Sequence, residues 1–294
     1  MGEIVGAGLV SHVPTIMLPE KIRLEINQGK EISLVDGLRT LKSEAFDRLK
    51  PDTVVVCDTH WESTFEHIVS AQDRRKGFFT SHELPRGMSA IPYDMPGDPE
   101  LARALAKQAE GRDDTWILAS DDPYLPIFYG TVNIWTYLSG GERWISIAIN
   151  GTGQTDDFLL LGELLGKAVE QVDRRVVVLA SGGLTHRFFP FRELRHHESS
   201  DLSNIITPEA READEKVLKL LAAGDHAGMI DWMPEYKRFG PEGKFGHYLI
   251  MAGALGGARC QAPGERFSAY EASVGTGQAH VWFERPAGGW AGAA

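Results

Sequence analysis

The run VVVCDTHW, Val54 to Trp61, decides how the fold is read. Its first residues are apolar and β-branched without alternation, the pattern of a strand buried on both faces between helix layers. The strand would then end on Asp58, Thr59, His60 and Trp61. In open α/β sheets the carboxyl ends of the strands face the crevice where ligands bind. His60 therefore stands where chemistry is expected, although on this motif alone a loop histidine satisfied by a backbone carbonyl explains it equally well.

The same pattern recurs along the chain. IVGAGLV near the start, WISIAIN from Trp144 to Asn150 and RVVVLASGG from Arg175 also read as strands. Between them lie LVDGLRTLKSEAFDRL, PELARALAKQAEG and DFLLLGELLGKAVEQV, with apolar positions three and four apart as in amphipathic helices. Alternation of this kind predicts βαβ units and a mostly parallel sheet between helix layers. No internal repeat or linker divides the chain, so one α/β domain is expected over residues 1–285. The tail PAGGWAGAA, residues 286–294, holds little apolar material and is expected to fray.

Composition narrows the function. A chain of 294 residues with 43% hydrophobic content can bury a large core. A net charge of −11 without a basic stripe argues against a nucleic-acid surface and leaves small molecules as partners. With only two cysteines, Cys57 and Cys260, neither a disulfide framework nor a thiolate zinc site is signalled, and a reducing cytoplasm is expected. The opening MGEIVGAGLVSHVP lacks a basic region, and its apolar stretch is too short and broken for a signal or spanning helix.

Three of the strand-like runs deliver a histidine within a few residues of their ends: His12 after IVGAGLV, His60 after VVVCDT and His186 after VVVLASGG. Parallel neighbours would bring these imidazoles to one edge. Two of them with one carboxylate would make the facial triad of a non-haem Fe(II) oxygenase. Glu235 and Glu242, both in MPEYKRFGPEGKFGHY, are the candidate carboxylates, and Glu242 reads equally well as a charge favoured at a helix N-terminus. Asp58 is expected to orient the His60 imidazole from behind.

Other motifs read as structural. SVGTGQ lacks the third glycine and following helix of a dinucleotide fingerprint and is taken as a turn between strands. His196 and His197 are read as solvated, and His67, His82, His226, His247 and His280 as structural, with His247 the least secure. Ser181 in ASGGLTH lacks the G-x-S-x-G elbow of a serine hydrolase.

Taken together and in order, SHVPT, DTHW, FTSHELP, ASGGLTHRF, MPEY with PEG, and SVGTGQ resemble the class III extradiol ring-cleaving dioxygenases, the LigB-like family, from His12 to about Phe283. The likeness is greatest to the branch that opens 3,4-dihydroxyphenylacetate. The resemblance implies a three-layer α/β/α fold around a mixed, mostly parallel sheet. It places iron ligands on His12 and His60, a glutamate ligand in the Glu242 region with Glu235 in reserve, and the catalytic acid/base on His186. Tyr129, in FYGT, falls where other members carry a further active-site histidine. The implied cofactor is Fe(II), the partners are an aromatic diol and O2, and a homo-oligomer is expected. The rivals are aminophenol cleavage at the same site, a Zn-dependent hydrolase using the same ligands, and a binding protein on this scaffold, the last disfavoured by His186. Arg187, Arg192 and Arg195 are candidates to pair with a substrate carboxylate.

Overall fold

Along Val54–Cys57 successive side chains enter different cores. Val54 and Val56 pack on one face of the sheet, Val55 and Cys57 on the other, and all four are fully buried. Val177 and Leu179 likewise oppose Val176, Val178 and Ala180. A strand buried on both sides has no polar alternation to show. The computed structural model describes residues 1–291.

The strands in chain order are β1 (Glu3–Val10), β2 (Thr53–Ser63), β3 (His67–Ser70), β4 (Arg74–Phe79), β5 (Ile91–Pro96), β6 (Ile117–Ser120), β7 (Arg143–Asn150), β8 (Arg175–Ser181), β9 (Gly264–Arg266), β10 (Glu271–Ser273), β11 (Thr276–Gln278) and β12 (Val281–Glu284). Eight of them form the central sheet in the order β6-β3-β7-β2-β8-β1-β12-β9. Its centre, β7-β2-β8-β1, is parallel, whereas β3 and β12 run antiparallel to their inner neighbours. Two hairpins, β4-β5 and β10-β11, stand outside it.

Helices Pro99–Lys107, Thr155–Gln171, Pro208–Ala222 and Gly246–Ala254 cover one face, and Ser33–Leu41 with Tyr129–Leu138 cover the other. The result is the expected three-layer α/β/α fold with a mixed, mostly parallel sheet. No helix among the described residues is long and apolar enough to cross a membrane.

Three local readings change. β2 does not end at Thr59: Asp58 pairs with Ala148 and the next pair is Glu62 with Ile149, so Thr59, His60 and Trp61 bulge out before the strand resumes. The tail expected to fray is docked as far as it is described, because the Trp290 indole donates to Ile4 O at 2.8 Å and Ala291 bridges Cys260. Residues 292–294 lie outside the described residues. His197 is not solvated: its ring stacks on Phe189 at 3.6 Å and its Nδ1 lies 2.9 Å from Asn204 Oδ1.

Two buried histidines make the fold acid-sensitive. His280 accepts from Ser11 N through Nδ1 and donates to Leu34 O through Nε2, each at 3.0 Å, which only a neutral ring can do. Burial pushes the His280 and His67 pKa values down to about 4. The folded state thus holds fewer protons than the unfolded chain between the ordinary histidine value and 4. Their stabilising contribution is complete above about pH 6.5 and is lost as pH falls towards 4, by about 3 kcal/mol for each ring. Urea unfolding of metal-stripped protein at pH 7 and pH 4.5 tests this. The gap in stability between the two pH values should narrow in His280→Gln.

Candidate metal centre

The bulge in β2 re-aims His60. Without it, alternation along the strand would fix the direction of each side chain by register, whereas three extra residues release this one from the pleat. The Asp58 carboxylate holds the bulge in place: it accepts from His60 N at 2.9 Å and from Thr131 Oγ1 at 2.8 Å. It therefore fixes the His60 backbone and not, as expected, the imidazole. Gly130 is pressed against this carboxylate so closely that a Cβ there would lie 2.1 Å from Asp58 Oδ1.

The imidazole is oriented from elsewhere. Glu83 Oε1 lies 3.2 Å from His60 Nδ1, and the Tyr129 hydroxyl donates to Glu83 Oε2 at 3.3 Å. The Tyr129 ring packs on the His60 ring with 3.7 Å between centroids. Burial pushes the Tyr129 phenol's pKa up, aided by Glu83, so it remains a hydrogen-bond donor. Burial opposes protonation of His60, but Glu83, Glu242 and Asp58 outweigh it and raise its pKa. Trp61 is buried and stacks on Phe128.

His12 follows β1 and is held at both ends. Asn133 Nδ2 donates to its carbonyl at 2.8 Å, and its Nδ1 lies 2.9 Å from Ser181 Oγ. Ser181 gives its own proton to Gly130 O at 2.6 Å, so His12 Nδ1 is the donor to Ser181 and Nε2 carries the lone pair. With Glu83 accepting from His60 Nδ1, that ring too presents a bare Nε2.

Both lone pairs meet Glu242. Its Oε1 lies 3.3 Å from His12 Nε2 and 3.5 Å from His60 Nε2, and the three donor atoms fall within 4.8 Å of one another. Thr59 Oγ1 bonds Oε1 and Gly183 N bonds Oε2. Glu242 opens a turn in which Gly243, Lys244 and Phe245 all have positive φ, at 50°, 57° and 62°. For the two non-glycine residues this left-handed conformation is unfavourable. It is held by Lys244 Nζ, bonded to Gly151 O and Gly153 O, and by complete burial of Phe245. Burial alone would raise the carboxyl's pKa; His186, His12 and His60 hold it well below the usual range.

In their neutral forms both rings turn a lone pair toward this buried carboxylate, an arrangement that needs a cation between them, either a proton or a metal ion. The donor set therefore fits a divalent metal with two nitrogens and one oxygen, leaving its other positions open. His186 stays outside this set: its Nε2 is 3.8 Å from Glu242 Oε2, its ring lies edge-on to Phe188, and burial lowers its pKa, keeping it neutral and able to accept a proton near pH 7. The β10-β11 hairpin and the turn at Glu242 frame it, through bridges of His186 with Thr276 and of Thr185 with Pro241. Glu235, the reserve carboxylate, is not brought into the cluster and pairs with Arg238 at 2.8 Å on the surface. Arg187 donates to Arg238 O, and Arg192 and Arg195 are exposed.

Sequence reading missed Glu83. Its only signal was its place beside His82 in FTSHELP, and His82 itself is exposed. A carboxylate holding the distal nitrogen of a ligand imidazole typically changes metal affinity by about 10- to 100-fold. Glu83→Ala is expected to weaken metal binding by that factor with little change in melting temperature, as read by competition against a fluorescent chelator.

With the geometry in hand, the class is defined: the chain belongs to the LigB family, the catalytic LigB subunit of aromatic ring-opening dioxygenase, whose pattern matches residues 6–283. It is an extradiol dioxygenase. It is 31% identical over 261 residues to 3,4-dihydroxyphenylacetate 2,3-dioxygenase of Escherichia coli, covering 87% of this chain and 91% of that one. It is also 23% identical over 298 positions to the 2-aminophenol 1,6-dioxygenase beta subunit of a Pseudomonas species, covering 95% and 93%. Among solved structures, an uncharacterized protein of Escherichia coli K12 shares the fold with a TM-score of 0.65 at 16% identity, over 95% of this chain and 99% of that one.

Proposed function

We propose that His12, His60 and Glu242 hold Fe(II) and that the enzyme opens the ring of a substituted catechol, 3,4-dihydroxyphenylacetate or a near relative, beside its two hydroxyls. The observation that carries this reading is the convergence of the His12 and His60 Nε2 atoms on Glu242 with a third imidazole, His186, left free next to them. The chemistry Fe(II) supplies when bound is adjacent placement of diol and O2 and passage of electron density from ring to oxygen.

The chain's own groups do the rest. His186 Nε2 accepts a proton from a diol hydroxyl and returns it as the ring opens. Phe188, packed edge-on at 4.8 Å, limits the directions in which that imidazole can turn. Tyr129 supports the His60 ring and keeps its proton. Both oxygen atoms end in a ring-opened semialdehyde acid, so no external reductant is needed.

Likeness to an aminophenol-cleaving subunit supports 2-aminophenols as a second substrate class. Cys57 and Cys260, both free and buried, fit a reducing cytoplasm, and a homo-oligomer is expected on size-exclusion chromatography. The test is O2 uptake and yellow product with a panel of catechols and 2-aminophenol, using protein loaded with Fe(II) or Zn(II). The expected result is one O2 per ring opened with Fe(II) and the dihydroxyphenylacetate. Silence across the panel, or hydrolysis with Zn(II) and no O2 uptake, would overturn the reading.

A further inference from the structure

Apart from the metal centre, the β4-β5 hairpin and the segment leading to Tyr129 enclose a cavity of about 580 Å³ that none of His12, His60 and Glu242 lines. Four cationic residues are among those that line it: Arg74, Arg75, Lys76 and Arg103. Three are already matched. Arg74 and Lys76 share Asp94, at 2.5 and 3.1 Å, and Arg103 pairs with Asp121 at 3.1 Å.

Arg75 differs. It is only 8% exposed, and its guanidinium donates to Ser146 Oγ at 3.0 Å and Trp144 O at 3.1 Å. It makes no ion pair among the described residues. The carboxylate it reaches, through Ser146 and Thr131, is Asp58, already occupied by His60 N and Thr131 Oγ1. Burial brings its pKa down to about 10, so it is still a cation at neutral pH. Asp58 favours the charge from a distance but makes no direct pair with it, and a guanidinium has five donors, of which neutral acceptors here take two.

We infer that this cavity is an anion site that takes a small molecule through one carboxylate or phosphate group, with Arg75 as the anchoring cation and Arg103 at the rim. The planar fork of a guanidinium suits either group. The site does not rest on the reaction assigned to the metal centre.

Calorimetry on the full chain, stripped of metal, tests it with inorganic phosphate in one arm and benzoate in the other. One saturable equivalent is expected in at least one arm, and the arm identifies the preferred group. Affinity should fall at least about tenfold in Arg75→Gln and in Arg103→Glu, and stay unchanged in His12→Ala. Arg103 is largely exposed, so its variant carries the test if the buried substitution prevents folding. No saturable binding in either arm, unchanged affinity in the arginine variants, or loss in His12→Ala would overturn the inference.

Discussion

His186→Phe is expected to retain its metal and to turn over about 10²- to 10⁴-fold more slowly, the usual contribution of a positioned proton carrier. The expectation follows from the ring's place. His186 Nε2 is farther from Glu242 than the other two imidazoles are, and it lies outside the donor group. Phenylalanine keeps an aromatic ring against Phe188, so the packing survives while the nitrogen is lost. Metal content by elemental analysis and kcat on the same preparation separate the two effects. A variant that loses its metal would mean that His186 is a ligand, and one that turns over normally would mean that it carries no proton.

The second large effect is expected at Glu242. Glu242→Ala removes the only carboxylate in the donor set and also frees Thr59 Oγ1 and Gly183 N from their partner. Metal affinity should fall by more than about 100-fold, beyond what loss of an outer partner such as Glu83 causes. Ring cleavage should fall to background. Glu235→Ala serves as the control: its side chain faces Arg238, and it should bind metal as the unaltered protein does. Isothermal titration of the two stripped variants with Fe(II) under argon decides the point, and equal loss in both would restore Glu235 as a ligand.

Much of this arrangement is legible in the sequence because it follows from direction. A parallel centre of β1, β2, β7 and β8 must send its carboxyl ends to one edge, and His12, His60 and His186 follow from that alone. What the pattern of apolar residues does not carry is geometry inside a strand. The bulge at Thr59–Trp61 leaves the apolar run untouched, so β2 reads as ending where it merely detours. The turn after Glu242 is half visible, since Gly243 invites a left-handed residue and Lys244 and Phe245 do not. Glu83 comes from a loop remote in sequence from His60, and only tertiary packing brings them together. Asp58 lies two residues from His60 and holds its amide instead of its ring, because the bulge turns that amide back onto the carboxylate.

The detour in β2 separates two duties that a regular strand would combine. Asp58 and Glu62 carry the ladder to β7, while the three residues between them owe that strand no partner. Thr59 is thus free to bond the Glu242 carboxylate and Trp61 to stack on Phe128, while the register with β7 is carried on either side of them. The alignment of the sheet and the aim of the side chains beside Glu242 are therefore set by different residues.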